Sequence, residues 1–296
     1  MMQKYSNIMN KNDIKILQDD VHLVKEWSDK WLMKLNIKKC KVVSYGKDFK
    51  IDTDYYLKSG IENHKLEKLE YINDLGVIFD KHLKFDLHIT EKVKKAYSIL
   101  GIINRNFKLM TPNTFILLYK SMVRSHLEYA NSVWSPIRIM DIEKIEKVLQ
   151  KRATKMIYSI KKMNYENRLK FLNLPTLKYR RLRGDMIETY KIITGKYDNN
   201  SVVNIEFNSQ SSTRGNIYKL QKNVFRYSLR KNFFTNRITS VWNSLPDFVV
   251  CAKNTNNFKN LLDKFWSNQD FKFNWRSDIA GTGSRSSKIE LYTILE

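Results

Sequence analysis

This chain of 296 residues contains few of the residues that cross-link small folds, shape tight turns or cross membranes. Its two cysteines, Cys40 and Cys251, exclude a disulfide framework and a cysteine-rich metal cluster. Four prolines and nine glycines are too few for a turn-rich β-sandwich and favour helices. No apolar run approaches the length of a membrane span, and the polar start lacks a signal-peptide core. We therefore expect an intracellular protein, nuclear or cytoplasmic and not secreted.

Acidic residues are scarce only in the later part of the chain. Residues 1–80 carry 14 Lys/Arg and 13 Asp/Glu, whereas residues 81–296 carry 39 and 17. A positive surplus of that size repels itself unless a polyanion is near. We expect nucleic acid as the partner, either RNA, DNA or an RNA–DNA hybrid, and an anionic membrane surface is the competing interpretation. The charge does not indicate an oligomeric state.

Apolar residues at three- and four-residue spacing predict helices over most of the chain. They are expected over 13–34, from near Thr90, from Thr111-Pro112, from Asp141, and over 179–194 with Gly195 as the cap. Short strands are expected before Gly46, over 54–57 and over 75–79, where Gly76 suggests a bulge or a close backbone approach. The predicted fold class is α+β, mainly α.

The predicted domain organisation follows these elements and the step in charge. It comprises a mixed α/β segment over 1–80, a basic helical domain over 81–196, a Ser/Asn-rich linker over 197–215, an aromatic-rich helical unit over 216–273, and a flexible tail over 274–296.

The sequence offers little for a catalytic centre. Asp19-Asp20 is the only adjacent acidic pair, and its apolar neighbours have helical spacing, whereas a polymerase pair lies in a turn between strands. The five histidines have no zinc-site spacing, and His82 and His88 are expected to pack or cap. We predict no catalytic residue, no metal ligand and no cofactor in this chain.

Basic residues spaced along the predicted helices are the strongest functional signal. They can follow a phosphate backbone while interleaved aromatic rings stack on bases. The predicted nucleic-acid-binding residues are Lys92, Lys94, Lys95, Arg105, Arg124, Lys151, Arg152, Lys155, Arg168, Arg180, Arg181 and Arg183. We expect the last three to be the most specific, because a guanidinium group matches two phosphate oxygens. A solvated basic surface without a ligand is the alternative.

Six segments occur in order within residues 13–286: Trp27-Ser-Asp-Lys-Trp-Leu-Met-Lys-Leu-Asn36, Leu75-Gly-Val-Ile-Phe-Asp80, Leu127-Glu-Tyr-Ala-Asn-Ser-Val-Trp-Ser-Pro136, Tyr165-Glu-Asn-Arg-Leu169, Arg180-Arg-Leu-Arg-Gly-Asp-Met-Ile187, and Asn232-Phe-Phe-Thr-Asn-Arg237 with Trp242-Asn-Ser-Leu-Pro246. Together they resemble the downstream part of reverse transcriptases from non-LTR retrotransposons of the jockey and CR1-like kind. The resemblance implies that 1–80 is the end of the palm, with a primer-grip-like site at Leu75, Gly76 and Val77. It implies that 81–196 is the helical thumb.

That family comprises RNA-directed DNA polymerases, whose full-length members use Mg²⁺. Its two metal-binding aspartate motifs precede the segment that resembles Trp27–Trp31, and neither occurs in this chain. We therefore expect a nucleic-acid-binding fragment that does not polymerise alone and that grips a template–primer duplex by shape and phosphate. Two alternatives stay open: a stand-alone basic helical module for RNA, DNA or protein, and a non-functional relic with an incomplete core.

Overall fold

A computed structural model of the chain describes residues 11–46, 53–59, 62–198, 202–208 and 218–281. The chain forms two compact units, one within residues 1–84 and the other within 85–296. The predicted fold class is confirmed, because the described residues are mainly helical and their strands form only two-stranded sheets. No described helix has the length and apolar character that crossing a bilayer requires.

One long helix and three strand pairs build the N-terminal unit. Helix α1 spans Lys11–Lys30; β1 (Lys41–Val42) pairs in parallel with β4 (Glu67–Lys68), β2 (Tyr56–Ser59) pairs antiparallel with β3 (Glu62–Lys65), and β5 (Tyr71–Asp74) pairs antiparallel with β6 (Val77–Asp80). The first predicted helix is therefore confirmed, although it ends before the predicted Lys34. The chain turns away at Leu32, whose φ of 57° is left-handed.

Helix α1 packs on the strand pair β2–β3. Tyr55, Leu57 and Leu66 are buried there, and Leu17 and Val21 of α1 pack against them. The Gln18 side-chain amide donates to the Tyr56 carbonyl at 2.7 Å, and the Tyr56 N–H donates back to Gln18 Oε1 at 2.9 Å. Apolar burial and two hydrogen bonds thus fix this face of the helix.

The predicted strand over 75–79 is a hairpin turn followed by a strand. Asp74 pairs with Val77, so Leu75 and Gly76 form the two-residue turn between β5 and β6. Both have positive φ, 45° and 79°, as the turn type that matches strand twist requires. The expectation of a bulge at Gly76 within a strand is therefore wrong. Of the primer-grip-like residues, Leu75 is exposed at the hairpin tip and Val77 is buried.

The C-terminal unit is built from helices of very different lengths. They are α2 (Asp86–Asn106), α3 (Pro112–Leu118), α4 (Arg124–Glu128), α5 (Ile139–Glu143), α6 (Lys151–Ala153), α7 (Tyr165–Phe171), α8 (Leu177–Ile193), α9 (Ser228–Asn232), α10 (Phe234–Ser244), α11 (Asp247–Val250) and α12 (Thr255–Phe265). Residues 119–123 and 144–150 continue α3 and α5 as π-helical turns, and residues 154–156, 158–160 and 270–272 form 3₁₀ turns.

Capping residues explain where two of these helices begin and end. Thr111 accepts a hydrogen bond from the Thr114 N–H at 3.2 Å, and Pro112 occupies the first turn of α3, as predicted. Helix α8 is followed by Gly195 at a φ of 64°, which also confirms the prediction. The cap expected at Thr90 is wrong, because α2 begins at Asp86 and Thr90 lies within it.

Side chains from α8, α10, α11 and α12 share one hydrophobic core, and α8, α10 and α12 supply aromatic rings to it. Tyr190 stacks on Phe258 with ring centroids 4.4 Å apart, and Trp242 and Trp266 are buried in the same cluster. The segments predicted as separate domains, 81–196 and 216–273, therefore share one hydrophobic core. Residues 199–201 and 209–215 of the predicted linker, 216–217 of the predicted aromatic-rich unit, and 282–296 of the predicted tail lie outside the described residues.

The hairpin turn predicts a stabilising substitution at Leu75. A leucine held at positive φ is strained, whereas asparagine adopts this conformation readily. We expect Leu75→Asn to raise the free energy of unfolding of the N-terminal unit by about 1 kcal/mol. Hydrogen exchange of the β5–β6 amides measures it. Leu75→Ala, which removes the same exposed side chain without the preference of asparagine for positive φ, is the control, and equal effects of the two changes would refute the strain argument.

Candidate nucleic-acid interface

The outer face of α2 carries cations that point away from the core. Ile89, Ala96, Leu100 and Ile103 define the buried face of this helix. Lys94 and Arg105 are exposed on the opposite side, about three helical turns apart. Gly101 lies between them, and nothing occupies the space in front of it. Lys94 and Arg105 are therefore exposed on one side of α2, with open space at Gly101.

Two more lysines lie along the edge of α2 that faces α4. Lys95 is exposed and Lys92 is partly exposed. Burial lowers the pKa of His126 in α4, and the positive charges of Lys95 and Lys92 lower it further. The two ammonium groups therefore lie near His126, and they extend the charged surface of α2 towards α4.

A second group of cations lies on α6 and in the residues after it. Lys151, Arg152 and Lys155 are exposed, and Lys161 and Lys162 are exposed a few residues later. No aspartate or glutamate occurs between Lys147 and Tyr165. The guanidinium group of Arg152 lies 5.7 Å from the centre of the Tyr97 ring, which places this group beside α2.

Seven of the twelve predicted residues thus lie on neighbouring surfaces of the C-terminal unit. We call them the basic face: Lys92, Lys94, Lys95, Arg105, Lys151, Arg152 and Lys155. None of the seven forms an ion pair with any other residue that the structure describes. Their charges are therefore available to a ligand.

The three arginines expected to be most specific have protein partners instead. Arg180 binds both carboxylate oxygens of Glu128 in α4, with Nη2 2.8 Å from Oε2. Arg183 binds both oxygens of Asp263 in α12, at 2.6 and 2.7 Å. These forked contacts use the geometry that would have matched a phosphate.

Arg181, the third of these arginines, is 6% exposed. Its Nη2 lies 3.9 Å from Glu146 Oε1, and burial raises the pKa of the Glu146 carboxyl while Arg181 opposes that rise. The Lys178 N–H also donates to the same glutamate oxygen. An arginine enclosed in this way has no surface at which to meet a phosphate.

Arg124 and Arg168 are also engaged within the protein. Arg124 is largely buried, with its Nε 3.5 Å from Glu128 Oε1. Arg168 is 2% exposed and donates to the Met163 carbonyl at 2.7 Å, the Lys151 carbonyl at 3.2 Å and Thr154 Oγ1 at 3.0 Å. Arg168 therefore binds the backbone at both ends of the segment from Lys151 to Met163. This segment carries four exposed lysines: Lys151, Lys155, Lys161 and Lys162.

The acidic pair Asp19-Asp20 lies in the middle of α1, as the spacing of its neighbours predicted. Adjacent helical residues point about 100° apart, so the two carboxylates diverge. Among the residues that the structure describes, no cluster of three or more His, Cys, Asp or Glu side chains has the arrangement of a metal site. His88, one of the two histidines expected to pack or cap, packs edge-on against Trp134 with centroids 4.9 Å apart.

Comparison with known proteins identifies no relative, so the assignment of a function is based on the geometric observations above. No family model, curated protein or solved structure matches the chain.

The three-way contact of Arg168 predicts its role in stability. Replacing it by alanine removes the donor from the Lys151 and Met163 carbonyls and from the buried Thr154 Oγ1, and we expect Arg168→Ala to lower the free energy of unfolding by about 2–4 kcal/mol. Trypsin should also cut faster at Lys155 and Lys161. Lys170→Ala, an exposed change on the same helix, is the control. Denaturant unfolding and timed digestion measure both effects, and equal stability of the two variants would contradict the assignment.

Proposed function

We propose that the C-terminal unit binds nucleic acid through the basic face. The observation that carries the proposal is the cluster of seven exposed or partly exposed cations, none of which forms an ion pair with another described residue. Phosphate backbones bind such surfaces by releasing condensed counterions, and this requires no base contact. The ligand class is therefore RNA, DNA or their hybrid, recognised through its backbone.

The distribution of acidic residues supports this proposal. Most carboxylates described in this unit are committed to ion pairs, many of them with buried or half-buried partners: Asp86, Glu128, Asp141, Glu143, Glu146, Asp185, Glu188, Asp263 and Asp278. Few acids are left to neutralise the outward-facing lysines. The positive potential of the unit is consequently concentrated where a polyanion can approach.

We further propose that the chain derives from a non-LTR retrotransposon reverse transcriptase and does not polymerise alone. The ordered segments that resemble the family support the first statement. The second is supported by the placement of Asp19 and Asp20 on α1, where their carboxylates cannot converge on the same ions. In this proposal the basic helices act as a duplex-holding thumb.

The salt dependence of binding tests the interface. Replacing Lys94, Lys151 and Lys155 by glutamine removes three phosphate contacts, so we expect the slope of log affinity against log salt to fall in magnitude by about 3. Fluorescence anisotropy with an RNA–DNA hybrid of about 20 base pairs, between roughly 50 and 200 mM salt, measures the slope.

The control for this test changes the net charge by the same amount elsewhere in the unit. Lys253, Lys259 and Lys264 lie on or next to α12 and form no ion pair with a described residue. Their triple glutamine variant should keep the wild-type slope. If the two triple variants behave alike, or if wild-type binding does not respond to salt, the basic face is not the interface.

Primer extension tests the proposed lack of polymerase activity. The purified chain, a primed RNA template and Mg²⁺ or Mn²⁺ should give no template-directed incorporation, because the carboxylates of Asp19 and Asp20 diverge on α1. A full-length polymerase of the same class, assayed on the same template, shows that the assay works. Incorporation by the wild-type chain that is lost in Asp19→Asn with Asp20→Asn would overturn this part of the proposal.

A further inference from the structure

Tyr158 is more exposed than any other tyrosine in the described part of the C-terminal unit. Its side chain is 89% exposed, although both neighbouring isoleucines are anchored in the core, with Ile157 at 0% and Ile160 at 2% exposure. Anchors on either side prevent the ring from folding back onto the protein. An aromatic ring held outward costs stability in water unless something covers it.

The backbone around Tyr158 is fixed by hydrogen bonds. Residues 158–160 form a 3₁₀ turn, in which the Lys161 N–H donates to the Tyr158 carbonyl at 3.2 Å. Side chains three residues apart eclipse in such a turn, so Lys161 lies on the same face as Tyr158, about 6 Å along the axis. Arg168 holds both ends of the segment by its contacts to Lys151 and Met163.

The charged residues nearest to Tyr158 in the sequence are all positive. Lys155, Lys161 and Lys162 are exposed and form no ion pair with any residue in the described parts of the chain. The surrounding stretch from Lys147 to Tyr165 has no acidic residue. Exposed aromatic rings between lysines are the arrangement that binds single strands, because the ring stacks on a base while the lysines hold the flanking phosphates.

We propose that Tyr158 is a stacking platform for one unpaired nucleobase, with Lys155, Lys161 and Lys162 holding the adjacent phosphates. This site rests on the proposed nucleic-acid function and narrows its ligand. The bases of a continuous duplex are stacked on one another, so a ring on the protein surface reaches a base only in a single strand or an overhang. The C-terminal unit therefore binds strands that carry unpaired bases more tightly than blunt duplexes of the same charge.

Substitution of Tyr158 tests this inference. The probe is a short single-stranded DNA carrying one 2-aminopurine, whose fluorescence falls when the base stacks, and the comparison ligand is a blunt duplex. We expect Tyr158→Ala to weaken single-strand binding about tenfold and to abolish the fluorescence change, while leaving duplex binding and the salt slope unchanged. Tyr158→Phe and Tyr158→Trp should retain both signals. Tyr71→Ala, at a tyrosine 53% exposed between Glu70 and Asp74, is the matched control.

The outcomes separate the two proposals. If wild-type protein binds duplex with the expected salt dependence but Tyr158→Ala leaves single-strand binding unchanged, the stacking site is wrong and the basic face stands. An equal loss of single-strand and duplex binding in Tyr158→Ala also overturns the stacking site, since it shows a general effect. If wild-type protein binds neither ligand, both proposals fail. Unfolding temperatures of all variants show whether the fold is retained.

Discussion

Ion pairs radiating from helix α8 hold the C-terminal unit together. Four charged side chains of this helix reach four different parts of the unit: Arg180 to Glu128 in α4, Arg181 to Glu146 in the π-helical turn, Arg183 to Asp263 in α12, and Asp185 to Arg237 in α10. Arg237 also donates to the Ser132 carbonyl at 2.8 Å. Such pairs specify one arrangement of the helices, because losing one partner leaves a charge without compensation in a site largely removed from water.

This use of arginine determines which cations remain on the surface. The planar guanidinium group forms several directed hydrogen bonds within the protein, as Arg168 and Arg237 do, whereas the lysine ammonium group keeps its hydration on a flexible stem. Of the twelve cations that the sequence suggested for phosphate contact, the five that the fold encloses or pairs are all arginines. The carboxylates that pair with these arginines are likewise engaged within the protein. The structure thus separates its charges: arginine–carboxylate pairs lie in the interior, and the cations on the surface are mainly lysines.

The sequence predicted local structure better than it predicted partners. The spacing of apolar residues identified α2, α3 and α8, and Thr111 and Gly195 marked boundaries, because these signals lie within a few residues of one another. The turn at Leu75-Gly76 was missed because leucine is a poor turn residue and the run reads as one strand. The roles of Arg180 and Arg183 could not be predicted either. Their partners, Glu128 and Asp263, are remote in sequence, and only folding brings each arginine next to its carboxylate.

The connection between the internal pairs and the proposed interface lies in the segment from Lys151 to Met163. Short 3₁₀ turns have weak hydrogen-bond geometry and need support from other groups. Arg168 supplies that support from inside, and the buried Ile157 and Ile160 orient the segment, so that Tyr158 and the lysines face outward. A surface loop holding a polyanion needs such a rigid base, because lysines on a mobile loop would lose conformational entropy on binding. In the proposed interface, the buried arginine therefore supports binding without touching the ligand, by keeping the exposed cations in place.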